Sequence, residues 1–309
     1  MQKIVTIGGG TGHFQLLKGL KNYECSITAI ANMADDGGSS GRLRDEYGIL
    51  PPGDARQCIV ALAPENGGGR LRKLFNYRFK DGHNYGNLTI AALTDIYGGS
   101  AAGIKEAGRL LRISGEVLPV TIDNSILMAE TLEGKVLKGQ TEVSYPSDRN
   151  TKIKKLYYGP SAFIYRESAE AIRNADKVVI CSGDLYGSIL PNLIVEGMRD
   201  ALNDSNAIKI YVCNLFTKQG NYDFKASNFI REIEKYSGVE MDKIIINVGR
   251  PSEDVVNKYF SEDSKLVEDD LGNDNRVIRG EFAREYLSEK KTILRHIPER
   301  IAGTIIGLD

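Results

Sequence analysis

The chain has 309 residues, long enough to bury about three quarters of its unfolded surface without disulfide or metal staples. Lysine plus arginine (40) balances aspartate plus glutamate (41), leaving a formal net charge of -1. That balance argues against a dedicated nucleic-acid binder but leaves room for a local phosphate pocket. No apolar run approaches the ~18 residues a membrane helix needs, so no membrane span is expected.

Residues 3–7 predict a first strand, running into Gly8-Gly9-Gly10-Thr11-Gly12 and a helix over 13–20. The sequence opens on that strand without an export pattern, which points to the cytoplasm. Residues 25–31 predict a second strand, followed by a polar loop from 32 to 41. Residues 54–63, 71–79, 87–97 and 101–113 predict a helical block. Residues 116–121, 126–133 and 135–143 then predict strands, the last two joined as a hairpin by Glu133-Gly134-Lys135. Residues 144–155 and 261–275 are polar and are expected to be loops. Strands at 177–181, 207–213 and 243–246 alternate with helices near 191–202, 224–236 and 252–260, and a last helix opens at Pro298. Nearly continuous Val/Ile runs alternating with helices predict a Rossmann-like, doubly wound α/β fold with a mostly parallel sheet. The block at about 54–155 is expected to be a helical and a β-hairpin insertion in one domain spanning 1–309.

Cys25, Cys58, Cys181 and Cys213 form no C-x-x-C; three of them sit in apolar strand-like runs and are expected to be buried, all are expected to be reduced, and the scattered His13, His83 and His296 argue against a histidine zinc centre. Chemistry concentrates at strand ends instead. Gly9, Gly10, Thr11 and Gly12 form a turn whose amides a phosphate can approach, ahead of a helix N-terminus. The spacing is neither G-x-G-x-x-G nor a Walker A, and a structural turn is the competing account. After the second strand come Asp35 and Asp36, placed for a ribose hydroxyl or for Mg²⁺, with Ser39, Ser40, Arg42 and Arg44 as anion donors. Asp54 reads as a helix N-cap, and Arg56 sits in the first turn, where the helix dipole prefers an acid. His83 precedes a helix that Asn87 can cap. Gly183, Asp184, Tyr186, Ser188 and Asn192 join one strand to its helix, while Asn214 and Thr217 follow the next. Both loops are expected at the carboxyl edge of the sheet. Tyr157, Tyr158 and Tyr186 either stack on a base or pack. Cys181 and Ser182 lie near the site, but no histidine is close in sequence, so no nucleophile–base pair is assigned.

These segments resemble the gluconeogenesis factor (YvcK-type) family, a branch of the CofD-like superfamily that includes 2-phospho-L-lactate transferase. The matching runs are GGGTG at 8–12, ADDGGSSGRLR at 34–44, LPPGDARQC at 50–58, GHNYGNL at 82–88, SILPNLIVEG at 188–197 and YVCNLFTKQG at 211–220. The resemblance implies a cytoplasmic protein that binds a UDP-sugar such as UDP-N-acetylglucosamine. It further implies roles in gluconeogenic growth, cell shape and cell-wall precursor supply, protein partners in wall synthesis, and a homo-oligomer as an open option. The transferase relatives join phospholactate to a deazaflavin alcohol, release GMP and use Mg²⁺. At 181–188 the family commonly reads Gly-Pro-Gly-Ser-Leu-Tyr-Thr-Ser, whereas this chain reads Cys-Ser-Gly-Asp-Leu-Tyr-Gly-Ser. Phe216 and Lys218 likewise replace the family's Met and Gln.

The leading expectation is a regulatory protein that binds a nucleotide or nucleotide-sugar. The alternative is a phosphoryl-transfer enzyme of the phospholactate type. There Asp35 and Asp36 would place Mg²⁺, and Arg42, Arg44 and Arg56 would neutralise charge. A nicotinamide-dependent enzyme rests on fold analogy alone.

Overall fold

Strand β1 (Gln2–Gly8) is buried from residue 4 onward, as apolar and small residues covered on both faces must be. In the computed structural model, which describes residues 1–65, 69–148, 150–288 and 291–308, it lies inside a seven-stranded parallel sheet. Helix α1 (Gly10–Leu20) returns the chain to β2 (Cys25–Ala31), which pairs in register with β1 up to Gly8↔Ala31. Helices α2 (Gly38–Tyr47), α3 (Gly53–Leu62), α4 (Gly69–Asn76), α5 (Tyr85–Tyr97) and α6 (Ser100–Leu111) precede β3 (Glu116–Pro119), which adds outside β2.

A small antiparallel sheet follows. It comprises β4 (Ile126–Thr131), β5 (Val136–Lys138) and β6 (Ile153–Gly159), with α7 (Gln140–Ser144) between the last two. Helix α8 (Arg166–Arg173) leads back to β7 (Lys177–Ile180), which pairs with the other edge of β1. The main sheet then grows outward. Helices α9 (Leu190–Leu193) and α10 (Met198–Asn203) lead to β8 (Ile208–Val212), α11 (Ala226–Ser237) to β9 (Lys243–Asn247), and α12 (Glu253–Ser261) to β10 (Val277–Gly280). An antiparallel ribbon, β11 (Ala283–Ser288) and β12 (Lys291–His296), and α13 (Pro298–Ile306) complete the chain.

The strand order is β10-β9-β8-β7-β1-β2-β3. The chain builds to one side of β1 and then to the other, so the direction of winding reverses between β1 and β7. In open α/β sheets such a reversal splays the strand-end loops and leaves a crevice at the carboxyl edge.

The parallel sheet and the hairpin insertion match the sequence reading, and several boundaries differ for local reasons. The expected loop 32–41 becomes helical at Gly38, where a glycine at φ +47 turns the chain. The expected strand 135–143 ends at Lys138, because Gly139 at φ +91 redirects the chain into α7. The expected loop 144–155 contains the start of β6, and Arg149 within it lies outside the described residues. The expected helix 191–202 is split at Gly197, φ +87, after Glu196 bridges to Phe163. Helix α8, strand β10 and the β11–β12 ribbon were not anticipated. The ribbon mixes charged, polar and apolar residues without a strict period of two, and much of β11 is exposed.

Candidate functional site

The glycine turn sits on the β1 side of the winding reversal. Gly10 adopts φ +66, a conformation that L side chains avoid. Gly12 lies so close to the next loop that a Cβ would run into the backbone carbonyl of Ser182. The Gly10 amide donates to Asp54 Oδ1 at 2.8 Å. The Thr11 and Gly12 amides follow as the second and third of α1, where a helix offers no internal acceptor. Asp54 was expected to cap its own helix; Pro52 holds that position, and Asp54 reaches across to cap α1.

These amides open onto a cavity of about 330 Å³ over the ends of β1, β7 and β8. Gly9, Gly10, Thr11 and Gly12 line one wall, and Gly183, Asp184 and Ser188 line the loop after β7. Asn214 and Thr217 close it from β8. Asn214 donates its amide to the Gly183 carbonyl and accepts from Tyr211 Oη at 2.8 Å, tying the two loops together. Asp184 does not stand as a bare anion. Its Oδ1 accepts from the Gly187 amide at 3.1 Å, and its Oδ2 meets Lys218 Nζ at 2.9 Å.

Sequence reasoning missed much of the far wall. Phe216 and Tyr259 stack there, centroids 3.8 Å apart and planes at 15°. Lys218 and Arg295 bring positive charge, and Ser182 and His296 meet beside Gly12, Oγ to Nδ1 at 3.2 Å. The Asp184/Lys218 pair had a signal, opposite charges on successive strand-end loops. Arg295 and His296 had none, since they arrive on the unanticipated ribbon.

Tyr186 and Asn192 do not line the cavity. Tyr186 packs in the core, and Asn192 is fully buried, donating to the Ser188 and Ile189 carbonyls. Most of the other expected site residues gather in a second cluster, beyond Asp54, where α2, α3 and α5 begin. Ser40 Oγ accepts from Asn87 at 3.4 Å, and Ser39 Oγ meets His83 Nδ1 at 3.3 Å. Asn84, not Asn87, is the N-cap of α5, accepting the Asn87 amide. Arg56 ties three helices, donating to Asn87 at 3.0 Å and Asn76 at 2.8 Å. Asp36 turns away to hold the Thr141 amide and hydroxyl, at 2.9 and 2.6 Å. Arg42 lies near Gly82, and Arg44 pairs with exposed Asp45.

Burial governs the electrostatics. It raises the Asp35 carboxyl above its ordinary value. Burial, with Asp35 nearby, pushes Asp54 up to about 6. Burial pulls His13 and His296 down to about 4, so both rings are neutral at pH 7. His13 is fully enclosed behind the glycine turn. Its Nε2 meets Thr6 Oγ1 at 2.8 Å and its Nδ1 meets Cys58 Sγ at 3.6 Å, which pins α1 to β1 and α3.

First-turn amides, hydroxyls, Arg295 and the Asp184-paired Lys218 around one cavity form a site chemically suited to phosphate with an attached organic group. Comparison with known proteins places the chain in a family. Residues 4–283 match the family model described as 2-phospho-L-lactate transferase CofD. The chain is 38% identical to the gluconeogenesis factor of Halalkalibacterium halodurans, over 99% of this chain and 96% of that protein. It is 33% identical to the gluconeogenesis factor of Bacillus subtilis, over 99% and 98%. A crystal structure of a Bacillus halodurans protein superposes with a TM-score of 0.92 at 38% identity, covering 99% of both chains. The chain therefore belongs to the CofD family, in its gluconeogenesis-factor branch.

Proposed function

We propose that this chain is a cytoplasmic regulatory protein that binds a nucleotide-sugar such as UDP-N-acetylglucosamine. It reports that ligand's level to protein partners governing cell shape and wall-precursor supply during gluconeogenic growth. The observation that carries the reading is the cavity at the winding reversal, with the Thr11 and Gly12 amides on one wall and Lys218 and Arg295 on the opposite one. In this reading a phosphate meets the helix N-terminus, where amides and dipole both favour negative charge. The stacked Phe216 and Tyr259 rings give the flat part of the ligand an apolar support. Calorimetry with UDP-N-acetylglucosamine, UDP-glucose, GTP and NAD tests it. Saturable binding of a UDP-sugar is expected, and no heat from any of the four at millimolar concentration contradicts it.

A second reading, Mg²⁺-dependent transfer of the phospholactate type, is favoured by one observation. The buried Asp54 carboxyl has its ionisation opposed by burial and by the neighbouring Asp35, and a divalent cation would relieve that opposition. Because Asp36 is held by Thr141, Asp35 and Asp54 are the two acids that would hold Mg²⁺. The ion would neutralise phosphate charge and orient the reacting oxygens. Release of GMP from an activated phospholactate donor in the presence of the deazaflavin alcohol is the test. Absence of that product with Mg²⁺ supplied removes the reading.

A further inference from the structure

Ser182 and His296 are 114 residues apart in the chain, yet their side chains meet on the cavity wall, Oγ to Nδ1 at 3.2 Å. They are only 7% and 6% exposed. The Cys213 backbone carbonyl also acts on the ring, favouring a proton on it. In the tautomer that carries its proton on Nε2, neutral His296 presents Nδ1 as an acceptor to the Ser182 hydroxyl. Ser182 Oγ also lies beside the helix N-terminus: a Cβ built on Gly12 would stand 2.6 Å from it. A hydroxyl paired with a base, beside first-turn amides that have no acceptor within their helix, has the parts of a transfer centre.

We propose that Ser182 is a nucleophile, with His296 as its base, and that the protein slowly cleaves the phosphoanhydride of the nucleoside diphosphate derivative it binds. The proposal rests on the nucleotide-binding reading above and adds turnover to it. In the first step Ser182 Oγ bonds to phosphorus as the bond from phosphorus to the departing oxygen breaks. The hydroxyl proton passes to His296 Nδ1 and on to the departing group. The Thr11 and Gly12 amides hold the equatorial oxygens, where charge accumulates. In the second step a water oxygen bonds to phosphorus and its proton goes to His296. Ser182 Oγ leaves and recovers that proton. One water is consumed, and neither an oxidant nor a reductant is needed. For a regulatory protein, such turnover would return the site to its empty state.

The test uses the full chain with UDP-N-acetylglucosamine and with UDP, following released products by chromatography and intact protein by mass spectrometry. Calorimetry and a thermal melt are run on the same samples. The expected result is slow product formation and a phosphoryl or nucleotidyl adduct mapped to Ser182. Ser182→Ala should lose roughly 10²-fold or more in rate, read at saturating ligand and well below its melting temperature so that the lost hydrogen bond to His296 is not counted. Ser182→Cys should retain an adduct on the new thiol, which a merely structural hydroxyl would not produce. A wild-type chain that binds a UDP-sugar but forms neither product nor adduct overturns the proposal and leaves the binding reading standing. So does Ser182→Ala turning over at the wild-type rate. A chain that binds neither nucleotide overturns both.

Discussion

The cavity over α1 and the cluster at the starts of α2, α3 and α5 are built from the same kinds of residue, glycine, serine, acid and arginine, yet they differ in what is left over. In the cluster the polar groups satisfy one another. Arg56 is spent on Asn76 and Asn87, Ser39 on His83, and Asp36 on Thr141. In the cavity Thr11 and Gly12 line the wall with first-turn amides that have no acceptor within their own helix. The two regions share Asp54, which holds the Gly10 amide from the cluster side. The comparison teaches that donor-rich composition marks an anion site only where packing leaves the donors unspent.

The largest expected effect on binding comes from filling the cradle. Gly12→Val drives a branched side chain into Ser182, costing about 1–3 kcal/mol or more in stability by overpacking. It should also abolish UDP-sugar binding in calorimetry. A folded Gly12→Val chain with wild-type affinity would break the distinction between the two regions.

The next effect is pH-dependent and spans both regions. His13 and His296 are held near 4, below the unfolded value of about 6.5, so the unfolded chain binds protons that the folded chain excludes. Stability therefore falls as pH drops from about 6.5 to about 4, by about 3 kcal/mol for each ring. Asp54, raised from 3.8 to about 6, acts in the opposite sense. Its contribution is present at low pH and lost as pH rises through about 6, so it offsets part of the histidine loss. Urea unfolding between about pH 7 and about pH 4.5 should show the net decline, and Asp54→Asn should steepen it. An unchanged slope in Asp54→Asn would contradict the assigned environment.

Arg56→Ala should act on the fold more than on the ligand. Losing the ties among α3, α4 and α5 should cost about 1–3 kcal/mol by thermal or chemical unfolding. UDP-sugar affinity should move less than about threefold, under 1 kcal/mol by the affinity relation. The smallest effect belongs to Arg44→Ala. Its pairing with exposed Asp45 should be worth no more than about 1 kcal/mol, with binding unaltered.

The parallel sheet was legible because β1, β2, β7, β8 and β9 are dense in Val and Ile and are covered by helices. The glycine turn and the loops after β7 and β8 were legible because turn residues punctuate those runs. The β11–β12 ribbon was not. Its charged and apolar residues follow no period of two, and with it went Arg295 and His296. Pairing Ser182 with His296 was likewise out of reach, since no local pattern links residues 114 apart. The second cluster was over-read for a related reason. Spacing shows that Arg56 stands at a helix start, but not that Asn76 and Asn87 are there to meet it.

The most direct test of the central claim is a crystal structure of the chain soaked with UDP-N-acetylglucosamine. The account predicts phosphate density against the Thr11 and Gly12 amides, with the rest of the ligand extending toward Phe216 and Tyr259. Density seated instead among Asp35, Arg56 and His83, with the cavity over α1 holding only solvent, would contradict it.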